Sequence, residues 1–144
     1  TREWDIQVTL KDQNGTPISN TSFREDVTTN DKGQVTLKLH DNENFKFENL
    51  NINTQFSIVE LNTPNDYNVT YQIGENNPTG NSISNQPLTS DTTVTVINTM
   101  KDINIPDTNI PTSVMNNTIT MLAVGSLGII GIVTLLWYWR KKHV

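Results

Sequence analysis

From the start of the chain to Met100, apolar residues alternate with polar ones in short runs, and turn residues separate the runs. Side chains two apart share one face of a strand, so this period predicts half-buried β-strands. Trp4, Ile6, Val8 and Leu10 form the first such face, which stops at Asp12-Gln13-Asn14-Gly15, a strong tight-turn signal. A short segment around Phe23 follows, then the turn Asn30-Asp31-Lys32-Gly33. Alternation resumes through Val35, Leu37 and Leu39, then Phe45 and Phe47, Phe56 and Ile58, and Tyr67, Val69, Tyr71 and Ile73. Val94 and Val96 mark the last strand, and residues 74–91, rich in Gly, Asn, Pro and Ser, read as one long loop. No amphipathic helical stretch competes, so residues 1–100 are expected to form an all-β domain, a β-sandwich.

Residues 119–139 break the pattern. They are uncharged throughout and are followed at once by Arg140, Lys141, Lys142 and His143. At about 1.5 Å per residue such a run reaches roughly 30 Å as a helix, the thickness of a bilayer's hydrocarbon core. Trp137, Tyr138 and Trp139 fall where the span would meet the headgroups, and the basic residues beyond them belong on the cytoplasmic side. The competing reading, a buried helix of a soluble core, asks a small chain to surround a helix that is apolar all round. The expected order is therefore a sandwich over 1–100, an extended linker over 101–118, a single transmembrane helix over 119–139 and a basic cytoplasmic tail over 140–144. This puts the domain outside the cell. Gly125, Gly128 and Gly131 repeat at three, not at the four of a helix-dimer motif.

Charge narrows the function. All 15 Asp and Glu lie upstream of the span, whereas three of the 10 Lys and Arg follow it, so the outer part is strongly acidic. That argues against nucleic acid and against adhesion to anionic lipid. With no cysteine the domain has no disulfide to brace it, although small exported domains commonly rely on them. An enzyme is not indicated: the histidines are His40 and His143, with no zinc-type spacing and no phosphate-cradling glycine loop. Asp41-Asn42-Glu43 lacks the ligand order of a calcium loop, so neither metal nor cofactor is expected. The chain opens on Thr1-Arg2-Glu3-Trp4, without a Met or an export signal, which suggests sequence upstream.

Two polar residues stand on apolar faces. Glu60 shares the parity of Phe56 and Ile58, and Asn98 that of Val94 and Val96. Facing a core, each needs a partner there; alternatively each lies at a strand end and reaches water, or a bulge reverses the parity.

Here the chain resembles the Gram-positive pilin and adhesin domains of the collagen-adhesin B (CnaB) type, in their pilin isopeptide-linkage variety. The likeness lies in the opening strand Trp4-Asp5-Ile6-Gln7-Val8-Thr9-Leu10 with Lys11-Asp12-Gln13-Asn14-Gly15, in Gln55-Phe56-Ser57-Ile58-Val59-Glu60, and in Val94-Thr95-Val96-Ile97-Asn98-Thr99. The resemblance implies an immunoglobulin-like fold in which a lysine amine attacks the side-chain amide of Asn98, with Glu60 as acid/base. The lysine is where the chain departs from the family. Lys11, Lys38 and Lys46 all oppose their apolar neighbours, so the reactive lysine is expected upstream, on a first strand this chain lacks. Lys11 is the fallback, if a bulge near Asp12 turns it inward. A member that has lost the bond would keep Glu60 and Asn98 as a hydrogen-bonded pair.

The linker completes the resemblance. A proline-containing motif, an apolar span and a basic tail resemble the cell-wall sorting signal that sortases cut. Ile110-Pro111-Thr112-Ser113, continuing into Val114-Met115, is similar to the pilin form of the motif with Ser in place of Gly. Ile105-Pro106-Asp107-Thr108-Asn109 is the alternative, with Asn in that place. The implied partners are a sortase, transiently, then peptidoglycan or another pilin subunit, with the membrane holding the helix. The expected role is that of a structural or adhesive protein of the cell surface. The competing class is a single-pass receptor or signalling ectodomain that no sortase processes.

Overall fold

The computed structural model describes residues 2–102 and 129–137, the latter as backbone. Among these the chain is all-β. The strands are β1 Glu3–Lys11, β2 Ser22–Arg24, β3 Val27–Thr28, β4 Gln34–His40, β5 Asn44–Leu50, β6 Gln55–Leu61, β7 Tyr67–Ile73, β8 Ile83–Pro87, β9 Thr92–Met100 and β10 Ile129–Trp137. One sheet has the order β4-β1-β6-β8, the other β5-β10-β9-β7, and β2 and β3 form a separate hairpin. Buried residues of both large sheets make a single apolar core, an arrangement consistent with a sandwich.

The alternation of β1 becomes burial directly: Trp4, Ile6, Val8 and Leu10 are inside, while the residues between them are partly exposed. β1 pairs antiparallel with β4 on one side, Ile6 facing Leu37, and with β6 on the other, Ile6 facing Glu60. Beyond β1 the Asp12 carboxylate accepts hydrogen bonds from the Asn14 and Thr16 amides at 2.8 and 2.9 Å. Gly15 there takes φ +83°, a value that favours glycine. Gly33 is the more constrained glycine: at φ +72° it lies so close to the Leu10 carbonyl that no side chain fits, and its own carbonyl accepts the Leu10 amide.

The abundant asparagines have a structural use. Asn20, Asn42, Asn49, Asn53, Asn62 and Asn85 all adopt positive φ, a conformation asparagine tolerates better than most residues. Asn20, Asn42, Asn53 and Asn62 let the chain reverse or bend between strands where glycine would otherwise be needed, while Asn49 lies within β5 and Asn85 within β8.

One expectation changes. Residues 74–91 are not one loop: β8 lies within them and pairs with β6, and Ile83 and Leu88 enter the core. Only Ile83 of β8 is buried, and Pro87 ends it, so this edge strand carries almost no alternation to read. The apolar tail is described only in part. Most of the expected transmembrane helix over 119–139 lies outside the described residues, as does the basic tail over 140–144. The described part, Ile129–Trp137, is extended as β10, parallel to β5 and antiparallel to β9. Among the described residues no helix is long and apolar enough to cross a membrane. A continuous apolar run rich in Ile, Val and Leu suits a central strand as well as a helix, and periodicity does not separate the two.

Candidate functional site

Glu60 lies on β6 of the first sheet and Asn98 on β9 of the second, so their side chains meet across the core. The Asn98 amide nitrogen donates to the Glu60 carboxyl at 2.5 Å. Both residues are buried, at 6% and 1% exposure, which shows that neither parity reversal nor escape to water applies. The sequence-expected pair is therefore brought together.

Local structure explains how each group is held. Glu60 is one residue from the end of β6, where Asn62 at φ +57° turns the chain. That turn carries Thr63 back so that its hydroxyl donates to the other Glu60 oxygen at 2.9 Å. From β7, the Tyr71 hydroxyl accepts the Glu60 backbone amide at 2.6 Å. β7 is antiparallel to β9, with Val69 opposite Asn98 and Tyr71 opposite Val96. Tyr71 is fully buried, and a buried phenol requires a polar partner. Its alternation with Val69 and Ile73 marked it only as an apolar face residue, and Thr63 lies beyond its strand, so the sequence singled out neither.

The electrostatics favour neutral forms. Burial raises the Glu60 carboxyl above its ordinary value, more than the hydrogen bonds from Asn98 and Thr63 lower it. Burial likewise pushes the Tyr71 phenol up to about 12. The Asn98 side-chain carbonyl oxygen is buried with no hydrogen-bond partner. An orphaned acceptor beside a carboxyl that resists ionisation is a complementary pair: with the amide turned over, a protonated Glu60 donates to that oxygen. Which end of an amide points where follows from the hydrogen-bond network, so both orientations belong to the site.

A buried acid that polarises a carboxamide makes the amide carbon electrophilic toward an amine. Among the described residues no lysine supplies that amine. Lys11 stays partly exposed at the far end of β1, opposite Gln55, whereas Ile6 is the β1 residue level with Glu60. Five residues of strand separate the two levels, about 17 Å at ~3.3 Å per residue, and no bulge turns Lys11 inward. The fallback is thus not assembled. Lys38 is exposed and bridges Glu3 and Asp5 at 2.9 and 3.0 Å. Lys46 is exposed on β5, and Lys101, also exposed, donates to the Asn65 carbonyl at 2.7 Å. Both sorting-motif candidates, residues 105–109 and 110–113, lie outside the described residues.

Elsewhere the polar contacts are peripheral to this pair. The Trp4 indole donates to Asp41 at 3.0 Å, which ties the β4–β5 turn to the core's edge. Arg2 lies over the rings of Trp4 and Tyr67, which meet edge to face at 5.2 Å.

No curated protein and no solved structure matches the chain. Residues 1–100, the β1–β9 region that holds Glu60 and Asn98, match the model of a family described as a domain of unknown function, DUF7601, and the chain belongs to that family.

Proposed function

We propose that this chain is the membrane-proximal part of a structural or adhesive protein of the cell surface. In this reading an immunoglobulin-like sandwich of the CnaB type stands outside the membrane, and residues 119–139 anchor it as a helix. The single observation that carries the reading is the buried Glu60–Asn98 pair joining the two sheets, with an unpartnered amide oxygen beside an acid of raised pKa.

The chemistry is that of an isopeptide cross-link. A neutral lysine amine attacks Cγ of Asn98 while protonated Glu60 holds the carbonyl oxygen. The new C–N bond forms as the amide C–N bond breaks, and Glu60 relays the amine's proton to the departing nitrogen, which leaves as ammonia. Burial favours both the neutral amine and the protonated acid. The product braces a domain that has no cysteine, and it resists both pulling and proteolysis. The amine comes from a lysine outside the described residues.

Anchoring follows from the tail. A sortase cuts after Thr112, or after Thr108 in the alternative motif, and passes the domain to peptidoglycan or to another pilin subunit.

Intact-mass measurement of the complete outer region tests the bond: the mass falls short by one ammonia, and Asn98→Ala restores the unmodified value. An unmodified native mass removes the cross-link. Fractionation of cells carrying Thr112→Ala or Thr108→Ala tests the sorting. One of the two moves the protein from wall to membrane; if neither does, the receptor class takes its place.

A further inference from the structure

Among the described residues β5 has no hydrogen-bonded neighbour in its sheet other than β10. On the other side of β10 stands β9, which carries Asn98. β10 accordingly fills a place one strand wide between β5 and β9; without it, each neighbour would present an open row of backbone donors and acceptors. Phe45, Phe47 and Leu50 of β5 belong to the core, as do Val94 and Val96 of β9, so side-chain packing also holds both neighbours of β10. Buried walls without a ladder between them leave polar backbone groups unpaired, a cost that some strand must remove.

The strand found there is Ile129–Trp137, a segment with no charged residue. It begins level with Ile97, close to where β9 ends at Met100, so the connection over residues 101–128 starts and finishes at one end of the sheet. The same segment lies wholly inside the apolar run 119–139 that is long enough to cross a bilayer. It cannot be an extended strand between β5 and β9 and a helix in the membrane at once.

We infer that the gap between β5 and β9 is a strand-acceptor site whose occupant outside a bilayer is the chain's own Ile129–Trp137, and that membrane insertion of this segment empties it. The second clause rests on the anchor reading given above; the first does not. Anchoring and completion of the second sheet are then alternatives. The domain is closed while its tail is in water, and it presents two open strand edges beside Asn98 once the tail is in the membrane.

Register supplies the test. Thr134 of β10 faces Thr93 of β9 and Lys46 of β5, and the native chain has no cysteine. Facing positions on adjacent strands lie within disulfide range. The full chain carrying Thr93→Cys with Thr134→Cys is synthesised cell-free, with or without phosphatidylcholine vesicles, and oxidised with copper phenanthroline. Lys46→Cys with Thr134→Cys is the second variant, built on the opposite wall, should the first fold poorly.

Without vesicles, most of the chain is expected to carry the intrachain disulfide; with vesicles, the fraction that floats with the lipid loses it by at least several-fold. A chain that shows β-structure by circular dichroism but no intrachain disulfide in water, in either variant, overturns the acceptor assignment. Disulfide-linked dimers in water also overturn it, because the occupant is then the tail of a second copy. Floating chains that keep the disulfide overturn the competition while leaving the acceptor site and the anchor in place. Chains that never float overturn the competition together with the anchor reading, and the result in water still decides the acceptor site.

Discussion

The two large sheets are built from the same kind of residue yet are held together differently. In the sheet β4-β1-β6-β8 every strand comes from the first hundred residues, and the central pair β1 and β6 is hydrogen-bonded on both sides. In β5-β10-β9-β7 one interior position is supplied from residues 129–137, after a connection of residues 101–128. The first sheet is thus complete within the family domain, while the second depends on a segment that the sequence equally suits to a membrane. Burial alone does not reveal this difference, since Phe47 of the second sheet is as fully buried as Phe56 of the first.

Mutation separates the two cases. Phe56→Ala deletes a ring from a strand paired on both sides and is expected to cost about 3–5 kcal/mol, measured by urea titration. That loss is the same whether or not lipid vesicles are present. Phe47→Ala has a comparable effect in water, where it also removes the edge contacts with Phe23 and Phe45 at 5.0 and 4.8 Å. With the chain bound to vesicles its cost is smaller, because β5 has then lost its ladder and holds its ring less firmly. Equal costs for Phe47→Ala in the two conditions would mean that the sheets are equally independent of the tail.

A smaller effect of the same kind is expected at Gly33, which belongs to the first sheet's side of the comparison. Gly33→Ala places a methyl group against the Leu10 carbonyl in a backbone conformation that L-residues rarely adopt. A loss of about 1–3 kcal/mol is expected, independent of lipid, again by urea titration. Tyr71→Phe sits at the junction of the sheets. It leaves the buried Glu60 amide without an acceptor, for a loss of about 1–3 kcal/mol.

Legibility in the sequence follows the same division. β1, β4, β6 and β9 were readable because each sets one apolar face against one polar face, and Glu60 and Asn98 stood out because they violate that contrast. β8 was not, because an edge strand with one buried side chain has no contrast to show. Tyr71 was concealed by its ring, which satisfies the apolar pattern while its hydroxyl does polar work. For Ile129–Trp137 the sequence specifies apolar surroundings on every side, and that requirement is met both by a bilayer and by the middle of a sheet. Only the gap between β5 and β9, a tertiary feature, favours the strand.

The gentlest test uses pH at the point where the sheets touch. Because burial raises Glu60 above its ordinary value of 4.5, the folded domain binds its proton more tightly than the unfolded chain does. The contribution to stability is therefore complete below about pH 4.5 and is lost as pH rises through the higher folded value. Unfolding free energies measured at a series of pH values should decline over that interval, with a slope no greater than that of one proton. Glu60→Gln keeps the hydrogen-bonding shape without the titration, so it should flatten the decline and be the more stable form at neutral pH. If a cross-link has already formed at Asn98, Glu60→Gln made before folding also leaves the chain one ammonia heavier, which separates a chemical role for the acid from a structural one. An unchanged slope in the variant would mean that Glu60 reaches water, and that the two sheets are not joined through a buried acid.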